Sequence, residues 1–212
     1  MDRREALKLS LLAGAGLAAG TGHTAPASPC EGDGTPMQFV PKKPADAQAN
    51  VNDIEKYPKC PYCGMDRKQY HHSRMLVQYS DDLADGTCSI HCAAISLSLN
   101  VDREPKALWV GDNAAAGEVK PLVDVDKATF LVGSKIPGVM THNSKVAYAT
   151  EAAAKEARAA QGGELANFEK TLLAAYVDMS KDVSAIRKRR AEKRKKMMME
   201  KQGGDMKMEH KH

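Results

Sequence analysis

Aromatic residues are scarce in this chain: one Trp and three Phe stand among 212 residues, of which 42% are hydrophobic. That composition supports one or two modest domains with an ordinary core, and it excludes a large enzyme. Long apolar runs are missing as well. Beyond the N-terminus no stretch approaches the roughly 20 apolar residues that a membrane-crossing helix needs, so the mature protein is expected to be soluble. No conventional acid/base pair and no substrate pocket can be read from the order of residues, which leaves an enzymatic role without support. Also lacking is an even number of cysteines. Cys30, Cys60, Cys63, Cys88 and Cys92 make five, so a disulfide framework that pairs them all within one chain is excluded.

The opening "MDRREALKLSLLAGAGLAAGTGHTAPAS" sets Arg3 and Arg4 before a Gly/Ala-rich apolar run and ends on Ala25-Pro26-Ala27. It reads as a twin-arginine-type signal peptide over residues 1–27, and it implies a periplasmic protein. Pro29 directly before Cys30 spoils the small-residue pattern that lipoprotein processing reads, which argues against a lipid anchor. Charge is uneven along the chain. Residues 181–212 carry 12 Lys/Arg against 5 Asp/Glu, whereas residues 1–180 carry 19 against 22.

Residues 28–50 are rich in Pro, Gly and small polar residues and read as a linker. A folded region is expected over 51–179. Within it, "RMLVQYS" (74–80) has the apolar run of a strand, "DDLADG" supplies turn chemistry, and "SIHCAAISLSL" (89–99) sets Ile90, Ala93, Ala94 and Leu97 at helical spacing behind Ser89 as N-cap. "ALWVGD" (107–112) reads as a further strand. The pattern then recurs: "ATFLVGS" (128–134) and "KVAYAT" (145–150) as strands, and "EAAAKEARAAQ" as a helix stopped at Gly162-Gly163. The spacing therefore predicts an α+β fold of two tandem β-β-α-β units, over about 57–120 and 121–170. A C-terminal helix follows, with Phe168, Leu172, Leu173, Tyr176 and Met179 on one side. Beyond Ser180 the apolar stripe fades into a basic, Met/His-rich tail (180–212), expected to be a solvated helix or disordered.

The chemistry concentrates in "YPKCPYCGMDRKQYHHSR" (57–74). Cys60-Pro-Tyr-Cys63 can point two sulfurs at one ion across a turn. Cys88-Ser-Ile-His-Cys92 does the same on a helix, where residues four apart share a face. The helix N-terminus is also expected to favour thiolate at Cys88. Four uses compete on spacing alone: a structural zinc site of four cysteines, structural disulfides, thiol-disulfide exchange, and Cu(I) binding by thiolate with thioether. Intrahelical i,i+4 cysteines are poor disulfide geometry. For thiol exchange, the expected strand before and long helix after Cys-x-x-Cys are missing. Methionine favours copper, because thioether is a poor zinc ligand: Met65 stands two residues after Cys63, Met140 lies in the second unit, and Met197, Met198, Met199, Met206 and Met208 lie in the tail. Core filler is the competing use of Met65, and a solvated low-complexity run that of the tail methionines. The His71-His72 pair reads as solvated, Asp66 and Arg67 as residues that settle the turn or meet a partner, and Trp109 and Tyr79 as core or half-buried strand residues.

"CPYCGMDR", an Arg-containing strand, Asp85-Gly86, "CSIHCAA", "FLVGS" and "PGVMT", in that order, resemble the NosL family of copper-binding accessory proteins for nitrous oxide reductase. The likeness spans about residues 57–168. It implies a pair of β-β-α-β units similar to domains in organomercurial lyase, and a Cys-Gly-Met copper motif at Cys63, Gly64 and Met65. By resemblance, the protein is a periplasmic Cu(I) metallochaperone serving an assembling copper enzyme of the nitrous oxide reductase type. The expected ligands are Cys63 and Met65, with a third from His91, Met140 or Cys60, while Cys88 and Cys92 support the site or form a disulfide. The surplus positive charge of the tail suits an acidic partner or an anionic membrane surface, and nucleic acid is not an expected partner of an exported protein. Its Met and His residues (His210 and His212 included) suit low-affinity collection of copper.

Overall fold

The computed structural model describes residues 39–209, with side chains described up to residue 200. The signal-peptide reading of 1–27, residues 28–38 of the linker segment with Cys30, and the terminal histidines lie outside the described residues. A short helix α1 (Asp53–Lys56) precedes two antiparallel sheets. The first contains β1 (Met75–Tyr79), β2 (Ala84–Thr87), β3 (Pro105–Gly111) and β4 (Leu122–Asp124), in the order β2-β1-β3-β4. Helix α2 (Ile90–Leu99) connects β2 to β3. The second sheet contains β5 (Thr129–Val132), β6 (Lys145–Tyr148) and β7 (Glu164–Ala166), in the order β6-β5-β7, with α3 (Glu151–Gln161) between β6 and β7. In both sheets the leading strand is therefore central, flanked by the next strand and by the strand that follows the helix. Helix α4 (Phe168–Glu209) ends the described chain.

Strand β1 is buried along its whole length, and the period of two in a strand splits its side chains between two cores. Met75, Val77 and Tyr79 face a core shared by both sheets. There they meet Ile90, Ala93 and Ala94 of α2, Phe130 of β5, Ala147 of β6 and Ala175 of α4. Leu76 faces the other way, onto Ala49, Tyr57 and Ala84. The sequence of α2 explains its place: no charged residue interrupts Ile90–Leu99, so one side meets β1 and β2 and another meets α4. Phe168, Leu172 and Met179 of α4 close the shared core. Full burial of a large apolar side chain such as Met75 or Phe130 contributes on the order of 1.5–3 kcal/mol. Beyond that seam α4 runs on exposed, with every residue from 187 to 200 in solvent.

Three local features bear on the sequence-based expectation. Strand β4 pairs with β3 where no strand is expected, Trp109 opposite Asp124, because Val123 packs against the shared core. Ser89 occupies the N-cap of α2 but makes no side-chain cap bond. Helix α3 does end at Gly162, whose φ of 71° is a conformation glycine takes without penalty.

Candidate metal centre

Cys60 and Cys63 sit on a tight knuckle. The Gly64 N–H donates to the Cys60 carbonyl at 2.9 Å, and the Cys60 N–H donates to the Met65 carbonyl at 2.9 Å. Gly64 makes the reversal at φ 76° with no neighbouring atom near enough to crowd a Cβ, so glycine is needed there for backbone conformation alone. Asp66 settles the next turn by accepting from the Lys68 and Gln69 N–H groups at 2.8 and 3.0 Å.

Two buried side chains lock this knuckle to the sheet. Arg67, fully buried, donates to the carbonyls of Asp53, Tyr57, Met75 and Thr87 and to Asp53 Oδ2 at 2.8 Å. Arg74 grips the same carboxylate from its other side, through Nε to Oδ2 at 2.9 Å and Nη2 to Oδ1 at 3.0 Å. A buried charge is tolerated only when paired and hydrogen-bonded, and this triad of Asp53, Arg67 and Arg74 meets that condition. From within the Cys-x-x-Cys turn, Tyr62 donates to Asp85 Oδ2 at 2.5 Å. Ser96 of α2 donates to the same oxygen at 2.7 Å and meets the Tyr79 hydroxyl at 2.6 Å. Burial pushes the Asp85 carboxyl above its ordinary range.

The second pair arrives from the other end of β2. Cys88 directly follows that strand, and Cys92 lies in the first turn of α2. Ser73 fixes the junction by donating to the Cys88 carbonyl at 2.8 Å. The sulfurs of Cys60, Cys63, Cys88 and Cys92 all lie within 4.8 Å of one another. Cys63 Sγ is 3.4 Å from Cys88 Sγ, and Cys88 Sγ is 3.8 Å from Cys92 Sγ. All four are free thiols. Cys60, Cys88 and Cys92 are buried, whereas Cys63 is half-buried. Met65, Met140 and Val139 pack against the group, with Tyr62 and Tyr70 beside them.

Charge is shared unequally in this cluster. Hydrogen bonds from the thiols of Cys63, Cys88 and Cys92 hold Cys60 far below the ordinary thiol range, and its sulfur also gains a bond from backbone at Cys88. Cys63 is opposed by its bond to Cys60, yet Cys88 and Cys92 bring it below the ordinary value. Cys88 is pushed up by its bonds to Cys60 and Cys63, and Cys92 by its bonds to Cys60, Cys63 and Cys88. The lowering expected at Cys88 thus falls on Cys60 instead, because the neighbouring thiols donate to the Cys60 sulfur.

The other sequence-predicted residues fall into two places. Met140 reaches the cluster on the segment between β5 and β6, in a left-handed conformation at φ 63°. That segment is tied to α4: Asn143 Nδ2 and Lys145 Nζ both donate to Asp178 Oδ2 at 2.7 Å, and the His142 N–H donates to Asp182 Oδ1 at 3.3 Å. His91 is buried, but its ring is not among the converging ligand atoms. Burial lowers its pKa, and the charges it feels most are Asp182 and Lys145. His71 and His72 are half-buried and stand edge to face with ring centres 6.1 Å apart. His71 Nδ1 accepts the Lys120 N–H at 3.2 Å, so that ring serves the backbone of a neighbouring loop. Sequence reasoning missed the Asp53–Arg67–Arg74 triad, since isolated charges carry no signal of burial.

The class these features define is a small α+β protein with four converging cysteine sulfurs that could hold a soft metal ion. The chain belongs to the NosL family, whose family model matches residues 50–175. It is similar to the copper chaperone NosL from Shewanella denitrificans, known from a crystal structure, with 23% identity over 59% of this chain and 95% of that chain at a TM-score of 0.44. Among curated proteins none matches.

Proposed function

We propose that this protein is a periplasmic Cu(I) carrier, exported through its twin-arginine-type N-terminus, that delivers copper to an assembling enzyme of the nitrous oxide reductase type. Family membership supports copper as the cargo. The observation that carries the reading is the position of Cys63. It is the half-buried thiol of the four, and the thioethers of Met65 and Met140 pack at the same cluster. Thiolate with thioether selects Cu(I) over harder ions. A half-open edge also suits release, because an acceptor's ligand can enter before the carrier's ligands leave. In this reading Cys63 and Met65 hold the ion, Met140 and the neighbouring thiols complete its surroundings, and the two strand-strand-helix-strand segments are tandem copies of one unit. The basic exposed part of α4 suits an acidic acceptor surface or an anionic membrane surface.

Structural zinc is the second reading, and one observation favours it. An ion bonded to four sulfurs at about 2.3 Å sets them about 3.8 Å apart, and the Cys88–Cys92 pair stands at 3.8 Å. Titration of reduced, metal-free protein with Cu(I) against a chromogenic chelator decides between the two. Tight Cu(I) binding that weakens in Cys63→Ser and Met65→Ala supports the carrier. Protein that ignores Cu(I), retains zinc through dialysis, unfolds on chelation and is indifferent to Met65→Ala is a zinc scaffold.

A further inference from the structure

We infer that the site holds two Cu(I) ions at once, bridged by the Cys88 thiolate, rather than one. The inference rests on the copper-carrier reading and concerns how much cargo the site takes.

The donor count comes first. Two or three soft ligands suffice for one Cu(I), because a filled d shell imposes no demand for four. Six sulfurs gather here: four thiols within 4.8 Å of one another and two methionines packed on them. A single ion served by Cys63, Met65 and one neighbour leaves at least two buried thiols unused. Ordinary packing explains one buried cysteine, which behaves as a small apolar side chain. It does not explain three buried thiols from two separate chain segments turned toward one another and left unpaired.

The arrangement of the sulfurs comes second. Cys88 is in contact with both the half-buried and a fully buried thiol, 3.4 Å from Cys63 and 3.8 Å from Cys92. Thiolate sulfur has lone pairs enough to bind two soft cations. With Cys88 shared, the outer ion draws on Cys63 and a methionine thioether, and the inner ion draws on Cys60 and Cys92. Each ion then has three sulfur donors, and no thiol is left over. Burial gives the third argument. Four coordinated thiolates around one Cu(I) leave three net negative charges in a pocket where Arg67, a buried cation close enough to feel Cys60, is already paired with Asp53. A second Cu(I) offsets one of those charges, which matters where charge is costly to bury. The chemistry balances without an oxidant. Each thiol that coordinates gives its proton to solvent, copper stays cuprous, and no disulfide forms.

The test is anaerobic titration of the reduced, metal-free full-length chain with Cu(I) against a chromogenic chelator, with copper X-ray absorption on the saturated protein. Two Cu(I) per chain and a copper–copper scattering path are expected. Cys92→Ala should hold one ion, without that path, and Cys30→Ala should still hold two, since the proposed site draws its thiolates from Cys60, Cys63, Cys88 and Cys92 alone. Saturation at one ion overturns the two-ion site and leaves the carrier reading standing. So does retention of two ions by Cys92→Ala, or loss of one by Cys30→Ala. Failure to take up any Cu(I) overturns both. If Cys92→Ala does not fold, alkylation of the wild type decides: two equivalents of Cu(I) should protect all four cluster thiols, and continued labelling of Cys60 and Cys92 at saturation overturns the inference.

Discussion

Arg67 Nη2 donates to Asp53 Oδ2 at 2.8 Å between two side chains that solvent hardly reaches, and the same guanidinium closes four backbone carbonyls. This contact, two residues beyond Met65, holds the cysteine knuckle against β1 and β2. Replacing Arg67 with Met should cost about 3–5 kcal/mol, because it leaves a buried carboxylate half-paired and four carbonyls without a donor. Urea unfolding of the metal-free protein reads the loss as a lower midpoint. Arg67→Lys should recover little of it, since an ammonium cannot fork to five acceptors. A lysine variant as stable as the wild type would show that charge alone, not the fork, secures the knuckle.

Gly86 in β2 tests the same joint from the other side. A Cβ there would run into the Tyr57 Cβ and stand 2.7 and 2.8 Å from Nη1 and Cζ of Arg67. Arg67 cannot withdraw without breaking its bonds. Gly86→Ala should therefore destabilise the protein by about 1–3 kcal/mol, the usual cost of overpacking. Gly64→Ala makes the contrasting case, with open space around the Cβ and only the left-handed backbone to oppose it, at about 1 kcal/mol. Equal midpoints for the two variants would contradict this ranking.

The apolar run of "RMLVQYS", the helical spacing of "SIHCAAISLSL" and the glycine stop after "EAAAKEARAAQ" each report a local pattern, and the corresponding elements stand where that pattern puts them. The sulfur donors were legible for a similar reason, since Cys60 and Cys63 share a turn; Cys88, expected on one helix face with Cys92, instead precedes the Ser89 N-cap of α2 and meets Cys92 from outside the helix. What periodicity cannot carry is who faces whom across the chain. Arg67 reads as a residue that settles the turn or meets a partner, and its burial with Asp53 and Arg74 follows only from the fold that brings the three together. Strand β4 is three residues long and takes its pairing from β3. His91 illustrates the converse. It stands at a tempting spacing beside Cys92, but α2 turns it toward the charges of Asp182 and Lys145 instead.

Asp85 should leave a pH signature. Burial raises its carboxyl above the ordinary range, opposed by the hydrogen bonds from Tyr62 and Ser96. The folded state thus favours the protonated acid. Its contribution is complete below the unfolded value of about 3.9 and is lost as pH rises through the folded value. Asp85→Asn, which cannot ionise and keeps an acceptor for Tyr62, should gain stability relative to the wild type as pH rises from about 4 through the raised folded value. Unfolding midpoints of both proteins at several pH values provide the check. A difference that stays constant, or shrinks as pH rises, would mean that the carboxylate is no worse off folded than unfolded.

The last prediction concerns Met140, whose place at the sulfur cluster depends on α4. Asp178 accepts from Asn143 and Lys145, and Asp182 accepts from the His142 N–H. Arg189 Nη1 lies 3.0 Å from His142 Nε2, so successive turns of one helix face hold the residues that follow Met140. Lys145 is itself buried, and deleting its partner outright would confuse loss of the loop with loss of the fold. Asp178→Asn avoids that difficulty because the amide oxygen still accepts from the ammonium while the charge pairing is gone. If the helix acts through the thioether, this variant should bind Cu(I) about tenfold more weakly, a change of about 1.4 kcal/mol. Met140→Leu should weaken binding by a similar factor, and the double variant should be no weaker than Met140→Leu alone, because coupled residues do not add. A further loss on combining the two would show that Asp178 acts on the site by a route other than Met140. An Asp178→Asn protein with undiminished affinity would show that the loop keeps its position without the helix.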